Sequence, residues 1–284
     1  MDCLKSINND VNILIVENSD NFINTNFLTR EFPNVKIVCT GKNLGYAKGN
    51  NFGINLIKTD YALILNPDVT CDENFFSNVL SVTNEVKNFT IIGCQYLFDN
   101  IFMPAGYFDR KQNNDFIKDF KNNNTKSISK VEWVTGCSML LNLKKFINRD
   151  IFDKNFFLYF EEFDLCKSII KTGGEIYTSS KLKIHHLGFK SSLNKNKIEN
   201  LNIINIKDWH YMWSSFYFYK KNYSFVYAFF KLSGKLFKSF LKMIFFSITF
   251  QKKKKDKYLY RFLGLFNSII GRPSNFRGKL NKIT

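Results

Sequence analysis

Three carboxylates stand close together in the run FFLYFEEFD, which spans Phe156–Asp164. Glu161, Glu162 and Asp164 come directly after a strongly aromatic segment. Aromatic neighbours favour a position at the edge of a buried wall, where the loss of hydration raises the pKa of a carboxyl group. A carboxylate of that kind can act as a general base near neutral pH. The alternative is a solvated run of charge on a helix, and this segment alone does not decide between the two.

Two further groups of side chains could bind a metal ion. Asn66-Pro67-Asp68 follows an apolar run, and its amide and carboxylate offer the oxygen ligands that Mg²⁺ and Mn²⁺ prefer. A plain turn is the commoner meaning of such a tripeptide. The pair His185-His186 ends a later apolar segment, and an imidazole there is a second candidate ligand, with a structural role as the alternative.

The segment Gly41–Gly53 contains four Gly and three Asn in thirteen residues. It matches neither the phosphate-binding P-loop nor the dinucleotide fingerprint. Its glycines would let backbone N–H groups approach a ligand closely. A glycine-rich turn that binds nothing is the alternative.

Short apolar runs alternate with helical patterns through the first two hundred residues, which is the rhythm of an α/β fold with a mostly parallel central sheet. Ligands bind at the carboxyl ends of such strands, so we expect the polar clusters that follow them to converge on one crevice. The predicted strands are Val11–Val16, Val35–Cys39, Tyr61–Leu65, Ile91–Phe98, Glu132–Asn142 and Glu175–His186.

The segments between the strands carry their own local predictions. Phe22–Phe32 has helical spacing, and Asp72 is expected to cap a helix over Glu73–Val86. The polar stretch Asp109–Lys130 is predicted to be a mobile loop. Beyond about residue 200 the pattern predicts helices only.

The formal charge of +17 is concentrated at the end of the chain, where residues 205–284 contain seventeen Lys or Arg against two Asp. Lys231, Lys235, Lys238 and Lys242 share one helical face beside apolar residues, which is typical of a helix lying in a membrane interface. A helix packed on the catalytic domain with a solvated Lys face is one alternative. Nucleic-acid binding is another, but no recognised module accompanies the charge, so we expect no nucleic-acid partner.

Six cysteines are scattered without a CxxC pair, and we expect buried free thiols in a reducing cytoplasm rather than a zinc site or disulfides. No secretory signal pattern opens the sequence. No uncharged apolar run approaches the roughly 18 residues of a membrane span, so no transmembrane helix is predicted.

Six segments, in this order, resemble glycosyltransferase family 2, in particular its bacterial rhamnosyltransferase-like branch. The resemblance covers roughly residues 3 to 220. It implies a Rossmann-like A-type glycosyltransferase fold in a catalytic domain at 1–204, followed by basic amphipathic helices at 205–284. The matching segments are VENSD (16–20), NLGYAKGNNFG (43–53), LILNPDV (63–69), EWVTGCSMLL (132–141), FDKNFFLYFEEFDLC (152–166) and HHLGFKS (185–191).

The resemblance also implies roles for single residues. Asp68 would be the main metal ligand, and His186 the second, because its distance to Ser191 matches the family pattern; His185 is the fallback. Glu162 would be the catalytic base, within an acidic segment that includes Glu161 and Asp164. The remaining implied residues are Glu17 and Asn18 at the nucleoside, Asn43, Gly45, Asn51 and Asn66 in the donor pocket, and Trp133, Thr135 and Gly136 on the acceptor side.

The sequence departs from the family pattern in four places. Glu162 stands where the family usually has Asp, Ser168 where it has Arg, and Asp150-Ile151 where it has two Gly. The first strand of the pattern, with its Thr/Ser-Tyr-Asn turn, is expected to be missing, which would leave two unpaired strand edges.

The implied activity is inverting transfer of a sugar from a nucleotide-diphosphate sugar, assisted by Mg²⁺ or Mn²⁺. dTDP-rhamnose or a UDP-sugar would be the donor, and a lipid-linked or cell-surface glycan precursor the acceptor. The enzyme is expected to be cytoplasmic and peripheral on the inner, anionic face of the cell membrane. A catalytically inactive homologue that acts as a membrane-associated scaffold is the alternative.

Overall fold

The chain forms two compact units in the computed structural model, which describes residues 1–8, 10–19, 25–98, 101–102, 105–122, 126–186 and 197–277. We name them the sheet unit and the helical unit. The sheet unit comprises residues 1–44, 48–152 and 165–191, and the helical unit comprises residues 45–47, 153–164 and 192–284. The predicted domain boundary between 204 and 205 stays a prediction.

Eleven strands are present in the described part of the chain, and five of the six predicted strands lie within two residues of their predicted bounds, whereas the predicted strand Glu132–Asn142 is divided into two. Their bounds are β1 Ile13–Glu17, β2 Val35–Cys39, β3 Tyr61–Leu65, β4 Val69–Cys71, β5 Ile91–Phe98, β6 Ile101–Phe102, β7 Ala105–Gly106, β8 Ile128–Val131, β9 Trp133–Val134, β10 Ser138–Asn142 and β11 Ile176–His186.

The central sheet has the strand order β3-β10-β5-β11-β4, with β6 and β8 paired at its side. Strands β3, β5 and β11 point in one direction, because β10 is antiparallel to both β3 and β5 and β11 is parallel to β5. Strands β1 and β2 form a separate parallel pair, with Ile13 opposite Val35. Among the described residues, neither β1 nor β2 pairs with the central sheet. The expectation that a first strand is missing stays a prediction.

The helices alternate with the strands as predicted. Helices also lie beyond residue 200, so the predicted α/β fold class with C-terminal helices is confirmed. A 3₁₀ turn lies at Leu143–Lys145. The helices are α1 Asp2–Lys5, α2 Thr25–Glu31, α3 Tyr46–Leu56, α4 Phe75–Glu85, α5 Arg110–Lys121, α6 Glu161–Lys171, α7 Lys197–Asn222, α8 Phe225–Ile248 and α9 Lys252–Ile269.

Each unit has its own apolar core. In the sheet unit, buried side chains of β5 and β11 pack against α4, with Phe75, Phe89 and Ile92 fully enclosed. In the helical unit, Met212 and Phe216 of α7 pack against α8 and α9. Burying a large apolar side chain stabilises a fold by about 1.5–3 kcal/mol, so these cores fix the strand ends and helix starts that carry the polar clusters.

Two local predictions are wrong. Asn74, not Asp72, is the N-cap residue of α4, because the helix begins at Phe75, two residues later than predicted; the carboxylate of Asp72 pairs with His185 instead. The stretch Asp109–Lys130 is not a mobile loop in its described part: Asp109 caps α5 by accepting a hydrogen bond from the Gln112 N–H (2.9 Å), and β8 follows. Local composition suggested a loop, but rings of α5 pack on one another and on Tyr107.

Other features bear on membrane and thiol chemistry. No described helix is long and apolar enough to cross a membrane.

All six cysteines are free thiols, as predicted. Cys71, Cys94 and Cys166 are buried. Cys39 is exposed, contrary to the prediction, because it ends the edge strand β2.

Candidate functional site

A tight turn follows β3 and holds the predicted metal-binding carboxylate. The carbonyl of Asn66 accepts a hydrogen bond from the Val69 N–H (3.2 Å), which closes the turn around Pro67 and Asp68. The Asn66 N–H donates to the carbonyl of Cys137 (3.0 Å), so the break between β9 and β10 lies beside this turn. Asp68 is only 8% exposed. The turn therefore presents a sheltered carboxylate at the end of β3.

The pairing of β11 with β4 separates the two adjacent histidines. His186 lies opposite Val69 and His185 opposite Thr70, and neighbouring side chains of a strand point to opposite faces. His186 Nε2 lies 3.7 Å from Oδ1 of Asp68. His185 Nε2 lies 2.5 Å from Oδ1 of Asp72. The structure thus brings the preferred histidine, and not the fallback, to Asp68.

The Asp68–His186 pair fits a divalent cation. A carboxylate oxygen and an imidazole nitrogen are ordinary ligands of Mn²⁺, and a carboxylate oxygen suits Mg²⁺. No group of three His, Cys, Asp or Glu side chains that could hold a metal occurs in the described ranges. These two side chains would supply one oxygen and one nitrogen ligand. Ser191, used to choose between the histidines, lies outside the described residues.

The end of β1 is tied to the glycine-rich segment by Asn18. Its Oδ1 accepts hydrogen bonds from the Leu44 N–H (2.8 Å) and from Thr40 Oγ1 (3.2 Å), and the carbonyl of Glu17 accepts from the Thr40 N–H (3.0 Å). Asn43 is exposed in the same loop. Glu17, Asn18 and Asn43 therefore form one group at the carboxyl end of β1.

Asn51 lies on α3 and is 2% exposed. Its side chain binds both polar groups of the Phe152 backbone: Nδ2 donates to the carbonyl (2.8 Å), and Oδ1 accepts from the N–H (3.0 Å). With both groups engaged, Asn51 can shape a donor pocket by holding the backbone, not by binding a nucleotide.

The predicted acceptor-side residues surround the break between β9 and β10. Trp133 Nε1 donates to the carbonyl of Tyr107 (3.1 Å), and Thr135 Oγ1 lies 3.4 Å from Cys137 Sγ. Trp133, Thr135 and Gly136 are half-buried. Since the Cys137 carbonyl binds Asn66, this group and the turn containing Asp68 are neighbours.

The acidic segment belongs to the helical unit, where Glu161 and Glu162 begin α6. Oε2 of each accepts no hydrogen bond from the described residues and is shielded from solvent. Burial raises the pKa of Glu162 to about 7, because a charged carboxylate loses hydration. Burial, and then the charge of Glu162, raise the pKa of Glu161 well above its usual range. A carboxyl group that titrates near neutral pH is suited to proton transfer.

Backbone strain immediately precedes these two acids. Tyr159 and Phe160 both have a φ of 69°, in the left-handed region that bulky residues avoid. Each such residue costs about 1–3 kcal/mol and persists only where the surroundings enforce it. Gly45 lies against the chain just before this pair: its φ is +82°, and an added Cβ would clash with the Phe157 backbone. The sequence carries no signal for this strain, because its aromatic residues are poor formers of such a turn.

The third acid of the segment, Asp164, is anchored. Its oxygens accept hydrogen bonds from Lys221 Nζ (2.6 Å) and Asn222 Nδ2 (2.8 Å) at the end of α7. Lys221 also donates to Asp153 (2.7 Å). Asp164 therefore ties the start of α6 to α7. Lys221 was missed in the sequence, because it lies 57 residues from Asp164 and nothing local marks it.

Residues 2–154 match the family model described as glycosyl transferase family 2. No curated protein sequence matches the chain.

Solved structures show more distant likeness. GalNAc-T7 with UDP, GalNAc and Mn²⁺ is 11% identical with a TM-score of 0.48; the match covers 79% of this chain and 51% of that one. The mannosyltransferase PcManGT from Pyrobaculum calidifontis, in complex with GDP-Man and Mn²⁺, is 9% identical with a TM-score of 0.46 and coverages of 90% and 77%. S. aureus TarS is 12% identical with a TM-score of 0.41 and coverages of 73% and 36%. The chain thus spans about half the length of GalNAc-T7 and about a third of TarS.

Proposed function

Since the chain belongs to glycosyl transferase family 2, we propose that it transfers a sugar from a nucleotide-diphosphate sugar to an acceptor hydroxyl with inversion at the anomeric carbon. The observation that carries this proposal is the sheltered Asp68 carboxylate with His186 Nε2 at 3.7 Å, at the carboxyl end of β3. Strand ends of this kind are where α/β folds bind ligands.

Asp68 and His186 would hold Mg²⁺ or Mn²⁺. The bound ion would neutralise the charge that develops on the leaving nucleoside diphosphate. The group of Glu17, Asn18 and Asn43 would meet the nucleoside, with Asn66 at the head of the metal-binding turn. The bond between Asn51 and Phe152 would keep the donor pocket in shape.

Glu162 would act as the general base. It takes the proton of the acceptor hydroxyl while that oxygen bonds to the anomeric carbon and the bond to the diphosphate oxygen breaks. A pKa near 7 leaves Glu162 ionised for a substantial fraction of molecules at neutral pH, while keeping it basic enough to accept a proton. Glu161 would stay protonated beside it, because two adjacent buried carboxylates resist double ionisation.

Asp164 would position the acidic segment through its bonds to Lys221 and Asn222 rather than transfer a proton. Trp133, Thr135 and Gly136 would line the acceptor side, next to the turn that holds Asp68. By resemblance to the rhamnosyltransferase-like branch, dTDP-rhamnose is the first donor to test and UDP-sugars the second. A lipid-linked glycan precursor is the proposed acceptor.

The experiment is a panel of dTDP- and UDP-sugars, with and without Mn²⁺ or Mg²⁺, in which release of nucleoside diphosphate and formation of glycosylated acceptor are measured. Metal-dependent turnover with one donor supports the proposal, and the configuration of the product tests inversion. Binding of donor without turnover, with every acceptor class offered, would instead support the inactive scaffold.

A further inference from the structure

Helix α8 exposes an apolar stripe on the side opposite to its packed face. We name as the outer stripe Val226, Phe230, Phe237, Leu241, Ile244 and Ile248, which are 62%, 73%, 63%, 48%, 40% and 70% exposed. Their spacing of 4, 7, 4, 3 and 4 residues keeps them within one narrow arc of a helix with 3.6 residues per turn. The opposite face, with Ala228, Leu232 and Ser239, is buried.

The outer stripe is flanked by positive charge. Lys231, Lys235, Lys238 and Lys242 form a row along one side of it, and α8 contains no acidic residue. Lys252–Lys255 follow at the start of α9. Two members of the row rest on rings: Lys231 Nζ lies 4.8 Å from the centre of Tyr219, and Lys242 Nζ lies 5.0 Å from that of Tyr258. Each of these two ammonium groups also donates a hydrogen bond to a tyrosine hydroxyl, Lys231 to Tyr227 and Lys242 to Tyr258 (both 3.1 Å), whereas Lys235 and Lys238 are exposed.

The lysine row indicates which kind of partner would cover the outer stripe. A pair of chains joined through their outer stripes would contain two lysine rows and no acidic residue of α8 to neutralise them, which opposes association. A surface that is apolar inside and negatively charged at its boundary complements both features at once. An anionic lipid bilayer has that composition.

We propose that α8 docks the protein on an anionic lipid surface, with the outer stripe inserted among acyl chains and the lysine row on lipid phosphates. This inference goes beyond the proposed reaction and does not depend on it, because vesicle binding is measured without donor or acceptor. It would place an active enzyme beside a lipid-linked acceptor.

The first test is sedimentation of the full chain with vesicles of phosphatidylcholine alone, or of phosphatidylcholine mixed with phosphatidylglycerol. We expect binding to the mixed vesicles that weakens with salt. The variant Phe230→Ser/Phe237→Ser/Ile248→Ser is expected to lower partitioning at least about tenfold. Its matched control is Leu80→Ser/Ile147→Ser, which removes exposed apolar side chains (69% and 105%) from the sheet unit and should bind as the natural protein does.

The lysine row has its own control. Changing Lys231, Lys235, Lys238 and Lys242 to Gln should abolish the preference for phosphatidylglycerol, whereas changing Lys111, Lys118, Lys121 and Lys126, which are exposed in the sheet unit, should not. Equal weakening by both sets would show that only total charge matters and would overturn the proposal.

A second test measures directly whether the outer stripe inserts into the bilayer. Phe230→Trp should give a blue shift of fluorescence relative to the natural protein when mixed vesicles are added, and Leu80→Trp should give none. The proposal is wrong if the natural protein binds neither kind of vesicle. Dimerisation through the outer stripe, or binding of nucleic acid, would then be the alternative use of this face. The proposal is equally wrong if the outer-stripe variant, with an unchanged thermal unfolding midpoint, still binds mixed vesicles in full.

Discussion

His186 Nε2 lies 3.7 Å from Oδ1 of Asp68, while the adjacent His185 is held by Asp72 on the other face of β11. The register of β11 on β4 makes this choice, because successive side chains of a strand alternate between faces. Two histidines that are equivalent in the sequence therefore have different partners, and each can be tested separately.

Metal binding should depend on Asp68 and His186 and not on Asp72. Asp68→Asn and His186→Ala are expected to weaken binding of Mn²⁺ in the presence of UDP or dTDP by at least about tenfold, since each removes one of the two proposed protein ligands. Mn²⁺ electron paramagnetic resonance measures the free ion directly. Asp72→Asn is the matched control, and an equal loss in that variant would contradict the assignment.

The rate of transfer should rise with pH and level off above about pH 7. The base must be ionised to accept a proton, and burial raises the pKa of Glu162 to about 7. A profile of kcat/KM against pH checks this. Glu162→Gln should lower kcat by about 10²–10⁴ at pH 8 without changing donor affinity. If kcat/KM of that variant still rises with pH over the same range, the titrating group is another residue.

The same substitution should stabilise the fold at high pH. The pKa of Glu162 is about 7 in the fold against an ordinary value of 4.5, so between these values the folded state binds more protons than the unfolded state. The free energy of unfolding therefore falls as pH rises from about 4.5 to about 7 and stays low above it. Glu162→Gln removes this loss, and we expect a gain of about 1–2 kcal/mol at pH 8 that vanishes at pH 4.

Thermal and urea unfolding of Glu162→Gln at the two pH values measure this gain. A variant that is less stable than the natural protein at pH 8 would show that the carboxylate has a stabilising partner.

Loss of Lys221 should destabilise the helical unit. Lys221→Met leaves Asp164, which is 4% exposed, without its cation and removes a hydrogen bond from Asp153. Breaking a mostly buried pair costs several kcal/mol, and the partial exposure of Lys221 reduces this to about 1–3 kcal/mol. Lys220→Met changes an exposed neighbour and is the control. Equal urea midpoints for the two variants would remove the anchoring role of Asp164.

The sequence predicted best those elements that a local pattern of residues specifies. Strands Val35–Cys39, Tyr61–Leu65 and Ile91–Phe98 have the predicted bounds, because each is a short, mainly apolar segment followed by polar residues. The turn at Asp68 could be predicted for the same reason. The choice of His186 over His185 rested on resemblance, and the partners observed here come from strand pairing that no local pattern specifies.

The remaining features depend on contacts between distant parts of the chain. The sequence predicts Asn51 in a donor pocket, and its actual partner, the backbone of Phe152, lies 101 residues away in the chain. The strained pair Tyr159-Phe160 arises from packing that overrides local preference. The capping role of Asp109 was a local signal that polar composition obscured, and it turned a predicted loop into α5.

The most direct test of the account is release of nucleoside diphosphate from the preferred donor by the natural protein, Asp68→Asn and Asp72→Asn, each with saturating Mn²⁺ and after chelation. The account predicts that chelation abolishes release by the natural protein and by Asp72→Asn, and that Asp68→Asn, with or without Mn²⁺, releases at least about 100-fold less than the natural protein does with Mn²⁺. Metal-dependent release by Asp68→Asn at the natural rate would contradict the account, because the metal would then be bound elsewhere.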